Sequence, residues 1–302
     1  MAKPLLFDPV ENPYLVPFDG SFKMKNAVTE AKDKPKKEEN IVALAETVEK
    51  LADLQAKLYA DDRYSVILIF QALDAAGKDG TIRAVMSGVN PQGTQVYAFK
   101  QPSSEELDHD FMWRIQRALP ERGRIGIFNR SHYEEVLVVR VHPDFLDIQK
   151  LPRTPKKLDD LWDERYESIK DAEKHWARNG AVVLKFFLNV SQEEQHRRFL
   201  SRIEDADHNW KFSPTDAAES EHFGEYMKAY EDTLNATSRP YAPWYCIPAD
   251  SKSHMRRIVA DTIVSTLERL PLRFPEVNEE RKLEMEKTRK KLHVGLKDKV
   301  DD

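Results

Sequence analysis

Residues Ser65 to Arg83 read SVILIFQALDAAGKDGTIR. The apolar run Val66–Phe70 predicts a strand, and it ends abruptly in a turn that carries Asp74, Gly77, Lys78 and Gly80. A strand that feeds a Gly-Lys turn opening a helix is a means of gripping phosphate. The first N–H groups of the helix lack intrahelical partners and carry partial positive charge, and the lysine adds a full one. The stretch departs twice from the pattern G-x-x-x-x-G-K-[ST]: Ala72 stands where the pattern has glycine, and Asp79 where it has a hydroxyl.

Composition frames what this loop serves. With 302 residues, 40% hydrophobic and 33% charged, the chain has material for one large α/β domain, or two small ones, under a charged surface. No run reaches the roughly 18 consecutive apolar residues of a membrane span. The first twenty residues place acidic and proline residues where a secretory signal would be apolar. The single cysteine, Cys246, excludes an intrachain disulfide; it lies in an apolar segment, reads as a packing residue, and suits a reducing cytoplasm. No Cys/His cluster has zinc-ligand spacing. A net charge of -5 argues against a nucleic-acid binder, though a locally basic groove on an acidic protein still attracts a polyanion.

Outward from the loop, one α/β body lies between two charged extensions. Residues 21–40 are rich in both charge signs and predict an extended or mobile arm. Ile41, Leu44, Val48, Leu51, Leu54 and Leu58 form a helical stripe that must pack on something. After the 65–70 strand the sequence predicts a helix from about Gly80, a strand at Gln95–Phe99, a helix from Ser104 to Leu119, and a third strand at Arg124–Phe128. Trp162, Tyr166, Ile169, Ala172 and Trp176 space a long helix closed at Asn179-Gly180. Ala181–Val190 reads as a strand buried on both faces, followed by the capping box Ser191-Gln192-Glu193-Glu194. A charged segment at 204–216 precedes a helix near 217–236, a fifth strand at Trp244–Ile247 and a helix at 253–269; the tail from Glu276 is charged and reads either as a solvated helix or as disordered. Strands alternating with helices predict parallel crossovers in one sheet, with ligands collecting at the carboxyl ends of the strands.

The third strand runs into Asn129-Arg130-Ser131-His132-Tyr133-Glu134-Glu135, a window of six kinds of polar side chain. Such a strand tip beside a phosphate loop orients Mg2+ in nucleotide kinases. The same residues also read as a helix cap, Ser131 with Glu134 three positions on.

Together these segments resemble the polyphosphate kinase 2 family, enzymes that move phosphoryl groups between inorganic polyphosphate and nucleotides. The resemblance covers residues 41–270 through DAAGKDGTIR at 74–83, GVNPQG at 88–93, FNRSHYEEVLVVRV at 128–141, WKF at 210–212 and YAPWYCIPA at 241–249. The FNRSHYE form resembles the class that accepts both AMP and ADP; other classes tend to have aspartate where Asn129 stands. The resemblance implies a P-loop kinase-like α/β/α fold with a five-stranded parallel sheet and a helical lid at about 197–216. It implies a cytoplasmic homo-oligomer, a dimer or tetramer, acting on inorganic polyphosphate and adenine or guanine nucleotides, without nucleic acid or membrane. The first helix is a candidate contact between subunits.

Within that resemblance Asp74, Lys78, Asn129, Arg130 and Glu134 are the catalytic candidates. Asp74, Asn129 and Glu134 are the candidate ligands of Mg2+, or of Mn2+ in its place. Ala76, Gly77, Lys78, Asp79, Gly80, Thr81, Arg83 and Arg130 are expected around the phosphates, joined from the lid by Arg198, Arg202 and Lys211. Arg198 and Arg202 are four apart and share a helix face. Phosphoryl transfer needs alignment and charge neutralisation more than covalent help, and this set supplies both. Three rival readings remain at this point: an ATP-dependent kinase on the same fold, a non-catalytic polyphosphate or nucleotide binder, and an interaction protein whose phosphate loop is vestigial.

Overall fold

The structure is a computed structural model that describes residues 6–205, 207, 209–211 and 213–297. Among these, five strands form one parallel sheet: β1 (Ser65–Gln71), β2 (Thr94–Ala98), β3 (Ile125–Asn129), β4 (Ala181–Asn189) and β5 (Trp244–Pro248), in the order β2-β3-β1-β4-β5. Every residue of β1 and β4 is buried, because both strands are central and covered by helices on both faces. The register pairs Phe70 of β1 with Asn129 of β3, so the phosphate loop and the 129–135 window leave the sheet side by side.

Two helical layers cover the sheet. In one, Lys37–Asp61 packs along Lys252–Glu268, which also meets the short Lys78–Val85 helix. In the other, Leu158–Arg178 lies on β4 beside Phe223–Thr237. The stripe of the first helix buries Val48, Leu51 and Leu58, while Ile41 at its start is 52% exposed. The helix predicted over Ser104–Leu119 is broken. Ser103 caps a single turn Ser104–Leu107, and the Asp110 carboxylate then accepts from the Met112 amide and starts a second turn at Trp113–Arg117.

The arm before the first helix is extended and tied down. Val16 donates its amide to Trp244 at 2.9 Å and Tyr14 accepts from Cys246 at 2.8 Å, which covers the open edge of β5 with an antiparallel bridge. Farther on, the Asn235 side chain bonds both the N–H and the carbonyl of Phe22, and Glu231 accepts from the Met24 amide at 2.7 Å. Cys246 is buried, as its apolar surroundings predict. Among the described residues no helix is long and apolar enough to cross a membrane. The chain divides into a compact unit ending at Leu272 and a second beginning at Arg273, which holds the helix Glu279–Lys297.

Candidate active site

The loop between β1 and the Lys78–Val85 helix is shaped by left-handed backbone. Ala75 has φ +63° and Gly77 φ +105°; the second lies where side chains with a Cβ are strained, so glycine is required there. Alternating handedness over consecutive residues turns N–H groups toward one concavity, the geometry of an anion nest. Lys78 follows at the helix start. The residue is 9% exposed, and its Nζ donates to the carbonyl of Ala72 at 2.7 Å and more weakly to that of Leu73 at 3.4 Å. Burial, and then the neighbouring Arg130 charge, push this ammonium below the ordinary lysine value.

Across from the loop, Arg130 at the tip of β3 also takes a left-handed backbone, φ +65°, a strained conformation for a side chain this size. Two ion pairs fix its guanidinium: Nη2 to Asp74 Oδ1 at 2.7 Å and Nη1 to Glu134 Oε2 at 3.0 Å. The Glu134 carboxylate is the main reason its pKa lies above the usual arginine value. The cap reading of this window resolves at the same point. Ser131 Oγ accepts from the Tyr133 amide at 3.2 Å, so Ser131 is a cap, while the Glu134 carboxylate faces Arg130. Asn129 turns the other way, and its Nδ2 donates to Asp79 Oδ1 at 2.5 Å.

A buried network holds this window from behind. The Tyr133 hydroxyl donates to Glu173 at 2.8 Å, and the Lys185 ammonium of β4 reaches Glu173 at 2.6 Å, Tyr133 at 2.8 Å and the Thr237 carbonyl at 2.9 Å. Lys185 and Glu173 are fully buried. Burial pushes the Lys185 ammonium down to about 8 despite its partner.

In front of the loop opens a cavity of about 710 Å³, lined among the described residues by seven basic side chains and three carboxylates. On a chain of net charge -5, that local excess of positive charge would attract a polyanion. Asp74, Gly77, Lys78, Asp79, Gly80, Asn129, Arg130, Arg198 and Arg202 of the predicted set all line it. Glu134 lines a smaller cavity of about 30 Å³ with Gln195, Glu219, Tyr226 and Tyr230, and Asp74 and Arg130 face both spaces.

Three predicted positions lie off the cavity wall, and a fourth reaches it with its donors already engaged. Thr81 is buried and its hydroxyl back-bonds to the Gly77 carbonyl at 2.9 Å, which leaves no proton for phosphate. Ala76 is outside the cavity wall, and its N–H is directed to the Leu73 carbonyl at 3.3 Å. Arg83 lies one turn down the helix, exposed and off the wall, where its charge acts on Arg256. Arg198 does reach the site, but all five of its N–H donors are engaged: Nη1 with Ala75 (3.1 Å) and Ala76 (2.7 Å), Nη2 with Ala249 (2.6 Å) and Asp250 (3.1 Å), and Nε with Glu194 at 2.8 Å. It therefore laces the phosphate loop to the end of β5. The side chain of Lys211, and Phe212 of the WKF match, lie outside the described residues.

The sequence reading missed Lys100, which follows β2, and Lys252 and Arg256, which open the helix after β5; all three line the cavity. The rule that ligands gather at strand carboxyl ends would have found them, had basic residues after every strand been collected.

The donor set suits a hard cation. Among the described residues no group of three or more His, Cys, Asp or Glu gathers as a metal site. Arg130 engages one oxygen of Asp74 and one of Glu134. That leaves each carboxylate an oxygen, the pattern for Mg2+ bound through one or two carboxylates plus waters and substrate phosphates.

Comparison with known proteins bears on this geometry. The family profile described as Polyphosphate kinase 2 (PPK2) matches residues 33–273. The chain is 52% identical over 245 residues to the ADP-polyphosphate phosphotransferase of Rhodopseudomonas palustris, covering 81% of this chain and 85% of that one. It is 40% identical over 240 residues to the AMP/ADP-polyphosphate phosphotransferase of Meiothermus ruber, covering 80% and 85%. The crystal structure of Polyphosphate Kinase 2 from Arthrobacter aurescens TC1 superposes with a TM-score of 0.80 at 32% identity, over 92% of this chain and 99% of that one.

Proposed function

The chain belongs to the polyphosphate kinase 2 family, and is thus a polyphosphate:nucleotide phosphotransferase; we propose that this member uses Mg2+ and takes both ADP and AMP as acceptors. The observation that carries the acceptor range is the placement of Glu134. It shares Arg130 with Asp74 but faces the smaller cavity, so carboxylates stand on both sides of one guanidinium. ADP is the acceptor in the name of the relative 52% identical, and both nucleotides in the name of the one 40% identical.

Lys78 and the loop N–H groups hold the phosphoryl group in transit, and Arg130 supplies a rigid fork against its oxygens. Mg2+, when bound, would neutralise charge on the transferring phosphates, held by Asp74 with Glu134 beside the acceptor. The basic wall formed by Lys100, Lys252 and Arg256 accounts for a donor of many charges rather than one nucleotide.

Initial rates with AMP and with ADP, each with polyphosphate and without ATP, test the reading on Glu134→Ala. The loss is expected to be at least about tenfold greater on AMP than on ADP, the worth of one charged contact. Equal losses would remove Glu134 from acceptor choice.

A further inference from the structure

Two departures from expectation in the sequence meet in one contact. Asp79 stands where a phosphate loop has a hydroxyl, and its Oδ1 accepts from Asn129 Nδ2 at 2.5 Å. Both residues line the main cavity, Asp79 exposed and Asn129 half-buried. Among the described residues no basic side chain forms an ion pair with Asp79, so the amide is what fixes this carboxylate at the rim.

An amide and a carboxylate have nearly the same shape and differ in charge. Aspartate at 129 would set two carboxylate oxygens at hydrogen-bond distance, where they repel unless a proton or a cation lies between them. With Mg2+ in the solution, that pair would chelate the ion on the protein itself. Asparagine gives the shape and a donor without the second charge.

We propose that Asn129 is a positioning residue whose amide aims the Asp79 carboxylate into the cavity and, by withholding a second negative charge, leaves the divalent cation to be bound jointly with substrate phosphates. The proposal rests on the metal-dependent polyphosphate chemistry above. It changes the role of Asn129 from metal ligand to holder of a neighbouring carboxylate.

The test is a reciprocal exchange, read by Mn2+ titration of the full chain without substrates, using electron paramagnetic resonance, and by kcat with polyphosphate and ADP. Asn129→Asp is expected to tighten Mn2+ binding about tenfold or more, because ligand charge sets affinity for hard cations, and to lower kcat about tenfold or more. Asn129→Asp combined with Asp79→Asn rebuilds the contact with its partners exchanged. It is expected to return Mn2+ affinity to within about threefold of the parent and to recover most of kcat. Unaltered Mn2+ affinity in Asn129→Asp, or a double variant no better than the single one, would overturn the proposal. Asp79 is exposed and Asn129 half-buried, and the exchanges hardly alter side-chain shape; a thermal melt of each variant confirms that it is folded. The Mn2+ readout needs no turnover: a parent protein inactive with polyphosphate would refute the functional reading, while the ladder of Mn2+ affinities still decides the role of Asn129.

Discussion

Replacing Arg198 separates a loop brace from a phosphate ligand. The side chain is 6% exposed and its donors reach four carbonyls and the Glu194 carboxylate. Hydrogen bonds to a charged group contribute about 1.5–3 kcal/mol each, but these five share one guanidinium and are not additive. The loss should therefore match that of removing one partner from a buried charged pair, about 3–5 kcal/mol. At roughly 2 °C per kcal/mol for a large domain, Arg198→Ala should lower Tm by roughly 6–10 °C. Arg198→Lys should lose most of the same stability, because a single ammonium with three donors cannot bridge residues 75–76 and 249–250. Arg202→Ala, whose parent side chain lines the cavity, should cost less than about 1 kcal/mol while raising KM for polyphosphate. Thermal and urea denaturation read beside steady-state kinetics decide the matter. If Arg198→Ala keeps its Tm within about 2 °C and changes only KM for polyphosphate, Arg198 contacts substrate and the brace is refuted.

Other outcomes follow from the same geometry. Arg130→Ala should lower turnover at least about 10²-fold with little loss of stability, the scale of one aligned charge; near-parent rates would remove it from the chemistry. Lys78 acts as a cation, so its contribution is present at low pH and lost as pH rises through its folded-state value. Burial has moved that value below the ordinary 10.5. The alkaline limb of kcat/KM should therefore begin below pH 10.5, and a limb at or above it would contradict the assignment. Lys185→Met strands the buried Glu173 charge and should cost about 3–5 kcal/mol in urea denaturation, most of it recovered when Glu173→Leu is added. An unaffected single variant would show that the pair does not support the Tyr133 segment.

The sequence made legible what neighbouring residues decide. β1 and β4 are continuous apolar runs because both faces are covered, and the phosphate loop is contiguous along the chain, so both were readable without any tertiary information. The single helix expected over Ser104–Leu119 failed where the Asp110 side chain competes for a backbone amide, a choice periodicity does not register. The short edge segment around Leu15 has too few residues to show strand alternation, and it is ordered by pairing with Tyr245 far along the chain. Within the site, the i, i+4 spacing of Arg198 and Arg202 gave their shared face but not what each meets across it. Lys252 and Arg256 belong to no motif, and reach the cavity only because β5 ends beside β4. The contact between Asp79 and Asn129 was hidden for the same reason: it depends on β1 and β3 lying side by side.

The most direct test of phosphoryl transfer from polyphosphate is to incubate the purified chain with Mg2+, long-chain polyphosphate and ADP, with no ATP added, and to follow nucleotides by chromatography. ATP should form at the expense of polyphosphate, and the yield should fall at least about 10²-fold in Lys78→Ala. Polyphosphate left intact by the parent protein, or equal ATP formation by the Lys78→Ala variant, would contradict the account.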